Sequence, residues 1–279
     1  MPELPEVETV RLGLEPFMTG KTVRKITTHR EGLRVPFPEG LAALQGRRID
    51  KLTRRAKYLL VHLGADILVI HLGMSGRITA MADLRNHKRA KHDHFILDLE
   101  GHGGIVFNDP RRFGLVLMLA EKDMAQHEAF KSLGPEPLSH EFTGKVLHAR
   151  LKGKKVPIKT ALLDQRVVAG IGNIYDCEAL FAAQIAPQRL AGDLSGKECD
   201  VLVKCIKNVL TKAIKAGGSS LKDYRKTDGE LGYFQYGFKV YDREGEACPR
   251  CASQIKKAPL IQRITQGGRS TFFCARCQK

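Results

Sequence analysis

Four cysteines near the end of the chain constrain its fold more than any other feature. Cys248 and Cys251 form one Cys-x2-Cys unit, and Cys274 and Cys277 form a second unit after a gap of 22 residues. A tight turn places both sulfurs of such a unit on one side, so two units can complete a tetrahedral Zn²⁺ site. So short a tail cannot bury a hydrophobic core of its own, and a structural metal could stabilise it instead. The spacing therefore predicts one structural zinc ion in a small β-hairpin, with four free thiols as the alternative.

Cysteine usage and the apolar runs also indicate a compartment. The total of seven cysteines is odd, and with four of them in paired units it favours metal binding in a reducing compartment over a disulfide framework. The chain begins with alternating Pro and Glu, unlike a secretory leader. The longest apolar runs, at 58–63 and 67–72, are far too short to span a bilayer. We therefore expect a cytoplasmic protein with no membrane segment.

The N-terminal part has the pattern of an antiparallel β-sandwich preceded by a helix. Apolar positions 7, 10, 14 and 17 lie near one face of a helix over residues 7–18. Short β-prone runs then follow one another without intervening helices, which favours an antiparallel sandwich. These runs are residues 22–28, 47–53, 57–63, 67–72, 95–99, 104–107 and 114–119.

The pattern changes after a stiff breaker, LGPEPL at residues 133–138, which suits a domain boundary. An apolar stripe over residues 194–216 predicts a long helix that ends at Gly217-Gly218. Residues 219–238 are polar and contain glycine, which predicts a mobile loop. The sequence thus predicts an α+β protein with a β-sandwich domain over 1–134, a helical domain over 135–238 and a zinc hairpin over 239–279.

The charge balance indicates a polyanionic partner. Lys and Arg number 46 against 30 Asp and Glu, a formal charge of +16, which favours nucleic acid or an acidic membrane surface. A solvated basic surface is the alternative. The 239–279 tail holds nine Lys or Arg and three Asp or Glu, and Arg269 lies at a candidate turn tip. A basic hairpin of this kind is suited to gripping DNA.

The first residues can be interpreted as a catalytic device. Removal of Met1 would free the secondary amine of Pro2, and an α-amino group titrates near pH 8, closer to neutrality than lysine. Attack of this amine on a sugar C1′ would displace the base and leave an iminium. Glu3 could act as the general acid, and Glu6 could hold the terminus in place. The alternative is a rigid lead-in to a helix, where Pro and acidic residues are favoured.

The residues MPELPEVETV at 1–10 resemble the opening of the formamidopyrimidine-DNA glycosylase family, whose bacterial members are also called 8-oxoguanine DNA glycosylases. The resemblance covers the whole chain and includes the two cysteine pairs. It implies an N-terminal β-sandwich and a helical C-terminal domain with a helix-two-turn-helix and a zinc finger. Its further motifs are RAKYLL at 55–60, IHLGMSG at 70–76, DPRRFG at 109–114, LGPEPL at 133–138 and GIGNIY at 170–175.

The resemblance implies four catalytic residues. Pro2 matches the Schiff-base nucleophile, and Glu3 matches the proton donor. Lys57 matches a lysine that acts near the phosphate and donates a proton during β-elimination, for which a fixed ammonium is suited. Arg269 matches the finger arginine that grips phosphate and is assigned to δ-elimination. Without the family, Lys57 would be interpreted as a strand-end lysine facing water.

The resemblance also implies side chains that enter the duplex. Met74, Arg111 and Phe113 match residues that fill the gap left by an extruded nucleotide. Extrusion costs stacking and pairing, and an apolar wedge with a flat guanidinium offsets that loss. Core packing is the alternative for Met74 and Phe113.

Further DNA contacts follow from the same resemblance. His92 and Lys154 match contact positions, although Lys154 could equally belong to a solvated basic run. Asn173 precedes a predicted helix whose N-terminus could bind a phosphate, with a simple helix cap as the alternative. Glu178 matches an acidic residue near the lesion pocket. Asp176 departs from the family's small neutral residues and is expected to weaken phosphate binding slightly.

The resemblance implies a bifunctional DNA glycosylase and AP lyase. It would excise the oxidised purines 8-oxoguanine and formamidopyrimidines through a Schiff base on Pro2 and then nick the abasic site by β- and δ-elimination. Its partner would be double-stranded DNA containing oxidised bases, and the protein is expected to be a monomer. An endonuclease VIII-like enzyme on oxidised pyrimidines is one alternative, but Leu4 and the DPRRFG motif argue against it. A non-catalytic zinc-finger DNA-binding protein is another, but it gives the Pro2-Glu3 terminus and Lys57 no purpose.

Overall fold

The computed structural model describes residues 1–220 and 224–279, so residues 221–223 of the predicted 219–238 loop lie outside the described residues. Two compact units are present, Met1–Lys131 with Ala216–Gln235, and Ser132–Lys215 with Tyr236–Lys279. The three-domain division stays a prediction; these units differ from it by grouping residues 216–235 with the N-terminal part. No helix in the described part of the chain is long and apolar enough to cross a membrane.

The first unit begins with helix α1, Leu4–Met18, and continues into two four-stranded antiparallel sheets. One sheet has the strand order β2-β3-β4-β8, and the other has the order β1-β6-β7-β5. The strands are β1 Val23–Thr28, β2 Lys51–Arg55, β3 Tyr58–Leu63, β4 Asp66–His71, β5 Arg77–Met81, β6 Asp93–Leu99, β7 Gly104–Asn108 and β8 Leu115–Ala120.

The core of this unit lies among α1 and the two sheets. Leu14 of α1, Val61 and Ile70 of one sheet, and Phe95 and Phe107 of the other all belong to one buried apolar cluster. Burial of such large side chains stabilises each by about 1.5–3 kcal/mol relative to exposure. The predicted leading helix and antiparallel sandwich are confirmed.

Two details differ from the sequence prediction. Helix α1 begins at Leu4 instead of residue 7, because Glu3 and Glu6 form a reciprocal capping box at its first turn. Strand β5 was not predicted. Ile78 is its only fully buried residue, so its apolar alternation is weak, and its place in the sheet is set by backbone pairing with β7.

The second unit is built from helices and one hairpin. A segment of turn and bends over residues 164–172 joins α3, Ile158–Leu163, to α4, Asn173–Ala183, inside the region that matches the expected helix-two-turn-helix domain. The hairpin turn is Gly267-Gly268, with φ of +55° and +70°, angles that glycine adopts without strain. The elements are α2 Gly144–Leu151, α3 Ile158–Leu163, α4 Asn173–Ala183, α5 Gly196–Lys215, α6 Pro249–Ala252, β9 Gln262–Gln266 and β10 Arg269–Phe273.

Candidate functional site

The segment that follows the exposed Met1 is buried and held by hydrogen bonds. Pro2 and Glu3 are both buried, and Glu3 is the N-cap residue of α1. The backbone N–H of Glu3 donates to Oε2 of Glu6 over 2.8 Å, and Oε1 of Glu6 accepts from the N–H of Ser219 over 2.8 Å. Both oxygens of one carboxylate therefore fix this end of the chain, which agrees with the role expected for Glu6.

Lys57 lies in the two-residue turn between β2 and β3 and is only 7% exposed. This burial argues against the alternative of a lysine facing water. The turn is tied to α1, because Arg54 donates to Glu8 over 3.0 Å and to the carbonyl of Ala56 over 2.8 Å. The ion pair of Glu8 with Arg54 thus links the helix that follows Pro2 to the turn that carries Lys57.

The charge of Lys57 acts on His71, at the end of β4. Burial, together with the nearby charges of Lys57 and Arg34, lowers the pKa of His71 to about 4. His71 is therefore neutral at physiological pH. Its Nδ1 accepts the backbone N–H of Gly73 over 3.0 Å, which connects the surroundings of Lys57 to the Met74 loop.

Met74, Arg111 and Phe113 project from two neighbouring loops of the same unit. Met74 is 37% exposed and Phe113 is 45% exposed, so neither is a core residue. The guanidinium of Arg111 lies 4.9 Å from the centre of the Phe113 ring, within range of a cation–π contact. Exposed apolar side chains with a flat cation are suited to entering a base stack.

Ser75 and Asp109 connect these two loops, and neither residue was assigned a role by the sequence analysis. The hydroxyl of Ser75 donates to Oδ1 of Asp109 over 2.7 Å, and it accepts the backbone N–H of Arg111 over 3.1 Å. His92 is half-buried, and its carbonyl accepts the backbone N–H of Asp109 over 3.0 Å. The positions of Ser75 and Asp109 inside the IHLGMSG and DPRRFG motifs are the sequence feature that could have indicated a role for them.

In the second unit, Asn173 and Arg269 belong to adjoining segments. Asn173 opens α4, and its side-chain amide donates to the carbonyl of Ser270, the residue after Arg269, over 2.8 Å. Arg269 begins β10 and is exposed, directly after the Gly267-Gly268 turn. The structure therefore places the N-terminus of α4 beside the hairpin strand that begins with the exposed Arg269.

Lys154 follows α2 and is half-buried. Together with Arg166, which acts more strongly through a hydrogen bond, it lowers the pKa of Asp164 in the turns before α4. Lys159, which the sequence did not single out, is fully buried on α3. Asp176 is also fully buried, and its expected effect on phosphate binding stays a prediction.

Glu178 clasps the segment that leads into the zinc hairpin. Its carboxylate accepts the backbone N–H groups of Lys239, Val240 and Tyr241 over 2.9–3.0 Å. Burial raises the pKa of Glu178, while these three hydrogen bonds oppose the rise. The described contacts give Glu178 a structural task, and its place near the lesion pocket stays a prediction.

The four cysteines predicted as metal ligands come together. Their sulfurs all lie within 4.8 Å of one another, and the Cys248–Cys277 and Cys251–Cys274 sulfur pairs are each 3.8 Å apart. Tetrahedral zinc with Zn–S bonds of about 2.3 Å requires sulfurs about 3.8 Å apart, so the quartet fits one structural zinc ion.

Comparison with known proteins covers the whole chain. Family models match at residues 1–116 (Formamidopyrimidine-DNA glycosylase N-terminal domain), 133–225 (Formamidopyrimidine-DNA glycosylase H2TH domain) and 260–279 (zinc finger found in FPG and IleRS). The chain is 50% identical to a formamidopyrimidine-DNA glycosylase of Ruegeria pomeroyi, with all of both proteins covered.

The solved structures that are similar to this chain include complexes with DNA. A variant of the Lactococcus lactis FPG protein in complex with Fapy-dG-containing DNA is 35% identical, with a TM-score of 0.89 and full coverage of both chains. The Lactococcus lactis Fpg complex with DNA containing an abasic site gives the same identity, TM-score and coverage.

Proposed function

The chain belongs to the formamidopyrimidine-DNA glycosylase family, and we propose that it excises oxidised purines from double-stranded DNA and then cuts the strand. The bases would be 8-oxoguanine and formamidopyrimidines, in base-excision repair. The observation that carries the proposal is the buried Pro2-Glu3 terminus, linked through Glu8 and Arg54 to the turn that holds Lys57. Similar proteins bound to Fapy-dG and abasic DNA support this substrate class.

The chemistry would begin at Pro2 after removal of Met1. The unprotonated amine attacks C1′ of the damaged nucleotide, the bond from C1′ to the base breaks, and the base leaves with a proton. Glu3, adjacent to the nucleophile, supplies that proton or protonates the sugar ring oxygen. The proton lost by the Pro2 nitrogen then goes to O4′ as the C1′–O4′ bond breaks, and the product is an iminium between Pro2 and the opened sugar.

Strand cutting would follow from the iminium. It withdraws electrons, so loss of a C2′ proton expels the 3′ phosphate in β-elimination. A second elimination expels the 5′ phosphate, and hydrolysis then releases the sugar fragment from Pro2. Lys57 would serve the first elimination as a fixed ammonium near the phosphate, and Arg269 would grip the phosphate in the second.

DNA binding would use both units. Met74, Arg111 and Phe113 would fill the space left by the extruded nucleotide, while His92, Lys154 and Asn173 would contact the backbone. The net charge of +16 supports a phosphate-driven contribution to affinity. A monomer in the cytoplasm completes the proposal.

The test is borohydride trapping on a duplex that holds one 8-oxoguanine opposite cytosine. Protein with Pro2 exposed is compared with protein that retains Met1, and a thymine glycol duplex serves as the comparison substrate. We expect a covalent adduct and a cut strand only with Pro2 exposed, and preferentially on 8-oxoguanine. Binding without an adduct in either form would overturn the catalytic proposal, and a preference for thymine glycol would overturn the substrate class.

A further inference from the structure

Two loops that carry the proposed wedge are packed backbone to backbone. One spans residues 72–76 and carries Met74; the other spans 109–114 and carries Arg111 and Phe113. A Cβ added at Gly73, where φ is +65°, would lie 2.4 Å from the carbonyl carbon of Phe113. Only a glycine permits this approach, so the Met74 loop lies directly against the Phe113 loop.

Both loops also rest on one core ring. A Cβ added at Gly76 or at Gly114 would lie 2.7 Å from the ring of Phe107, which is fully buried in the sandwich core. The glycines therefore let each loop sit closely on the same rigid surface. Packing alone limits motion toward the core, but it does not prevent the loops from sliding past each other.

Asp109 supplies the directional contacts between the loops. Its carboxylate is fully buried and accepts the Ser75 hydroxyl over 2.7 Å and the backbone N–H of Gly114 over 2.7 Å. The Ser75 hydroxyl in turn accepts the N–H of Arg111 over 3.1 Å. One buried anion thus joins the residue after Met74 to both ends of the Arg111–Phe113 segment, through hydrogen bonds of the charge-assisted kind.

We propose that Asp109, acting through Ser75, is a positioning residue that locks Met74, Arg111 and Phe113 into a single rigid wedge. The inference rests on the proposed function, since it concerns how that enzyme opens the duplex. Asp109 itself is fully buried, so it acts through its partners and not by contact with DNA. A wedge that is ordered before binding loses less conformational entropy when it replaces a stacked base.

The experiment compares Ser75→Ala and Asp109→Asn with the unaltered protein. Asp98→Asn is the matched control, because Asp98 is a buried acid of the same sheet that pairs with Arg24 instead of the loops. The first readout is the fluorescence of 2-aminopurine next to an uncleavable tetrahydrofuran abasic analogue, which reports unstacking without any catalysis. The second is single-turnover excision of 8-oxoguanine from a paired duplex.

We expect both loop variants to lower the 2-aminopurine signal and to slow excision about 10-fold, the change that one lost charge-assisted contact produces. Strand cutting at a preformed abasic site should change less than about threefold, because an abasic nucleotide is easier to extrude. In protein that already carries Met74→Ala, the further change Ser75→Ala should slow excision little, since both substitutions would disable the same wedge.

The outcomes separate the inference from the proposed function. If the unaltered protein unstacks the analogue but excises no base, the proposed function fails, and the fluorescence of the variants still decides the inference. If both variants keep normal unstacking and excision, the inference is wrong and the function stands. If they lose thermal stability, binding and both activities in parallel with Asp98→Asn, Asp109 has only a general structural role and the inference is overturned.

Discussion

The sandwich unit and the zinc hairpin hold their functional side chains by different means. In the sandwich, the Lys57 turn and the wedge loops rest on a large apolar core that includes Phe107. In the hairpin, Cys248, Cys251 and Cys274 are themselves part of the small buried cluster, together with Ile261 and Phe272. The metal ligands therefore make up much of the hairpin's interior. Loss of one ligand should unfold the whole hairpin, whereas loss of one contact in the sandwich should lower its stability without unfolding it.

Loss of the metal is the strongest way to test this difference. Cys274→Ser removes one of four ligands, and structural zinc sites supply much of the folding free energy of small modules, so we expect DNA affinity to fall by more than about 100-fold. Zinc content, anisotropy of labelled DNA and hydrogen exchange would be measured together. Hairpin amides should lose protection while β3 and β4 keep theirs.

Cys205→Ser is the matched control, because Cys205 is a half-buried cysteine on α5 outside the quartet. It should retain zinc and DNA affinity. Full amide protection of the hairpin in zinc-free protein would show that its apolar cluster suffices, and the comparison would then break down.

The clasp at Glu178 is expected to have the next largest effect. Glu178→Gln replaces a buried carboxylate that accepts three backbone N–H groups. Weakening charged hydrogen bonds of this kind costs about 2–3 kcal/mol, so zinc should be lost to a chelator about 30- to 160-fold more readily. Glu244→Gln, in an exposed pair with Arg263, should change zinc retention little. Equal loss in both variants would argue that Glu178 does not anchor the hairpin.

A pH dependence is expected in the sandwich between pH 7 and pH 5, because burial lowers the pKa of His71. His71 has a pKa of about 4 in the folded chain, whereas an unfolded histidine titrates near 6.5. The unfolded state therefore binds more protons between these values, and stability, complete above about pH 6.5, falls as the pH drops toward 4. Between pH 7 and pH 5 the loss should be about 2 kcal/mol.

The measurement is urea unfolding followed at sandwich amides by NMR, together with the His71 titration. Lys57→Met should raise the His71 pKa only in part, because burial is the larger cause and Lys57 the second. His71→Asn should flatten the pH dependence over this window. A His71 that titrates normally in the folded protein would contradict the prediction.

Local patterns in the sequence accounted for the sandwich, the long helix and the metal quartet, and these are confirmed. Periodicity reports burial within a strand, and Cys-x2-Cys spacing reports one turn. Contacts between distant residues leave no such pattern. Glu6 meets Ser219 across 213 positions, Ser75 meets Asp109 across 34, and Glu178 meets Tyr241 across 63.

The catalytic and DNA-contact residues were named by resemblance, and their roles stay predictions. What the structure adds is physical context: Lys57 is buried and Met74 and Phe113 are exposed, although residue type alone favoured the reverse. Such inversions of ordinary burial cannot be read from composition. They arise where the fold holds a side chain in place for a task other than packing.

The smallest expected effect comes from two matched hairpin turns. Ala56 in the β2–β3 turn has φ of +53°, and Gly267 in the β9–β10 turn has φ of +55°. A Cβ at Gly267 would meet only Thr160 at 3.9 Å, so Gly267→Ala should cost about 1 kcal/mol through backbone strain alone. Ala56→Gly relieves similar strain but removes a buried methyl group, so its net effect should lie within about 0.5 kcal/mol of zero. Urea unfolding of both variants measures the two changes in the free energy of unfolding. A clear gain in stability for Ala56→Gly would mean that burial of the Ala56 methyl group contributes less than expected.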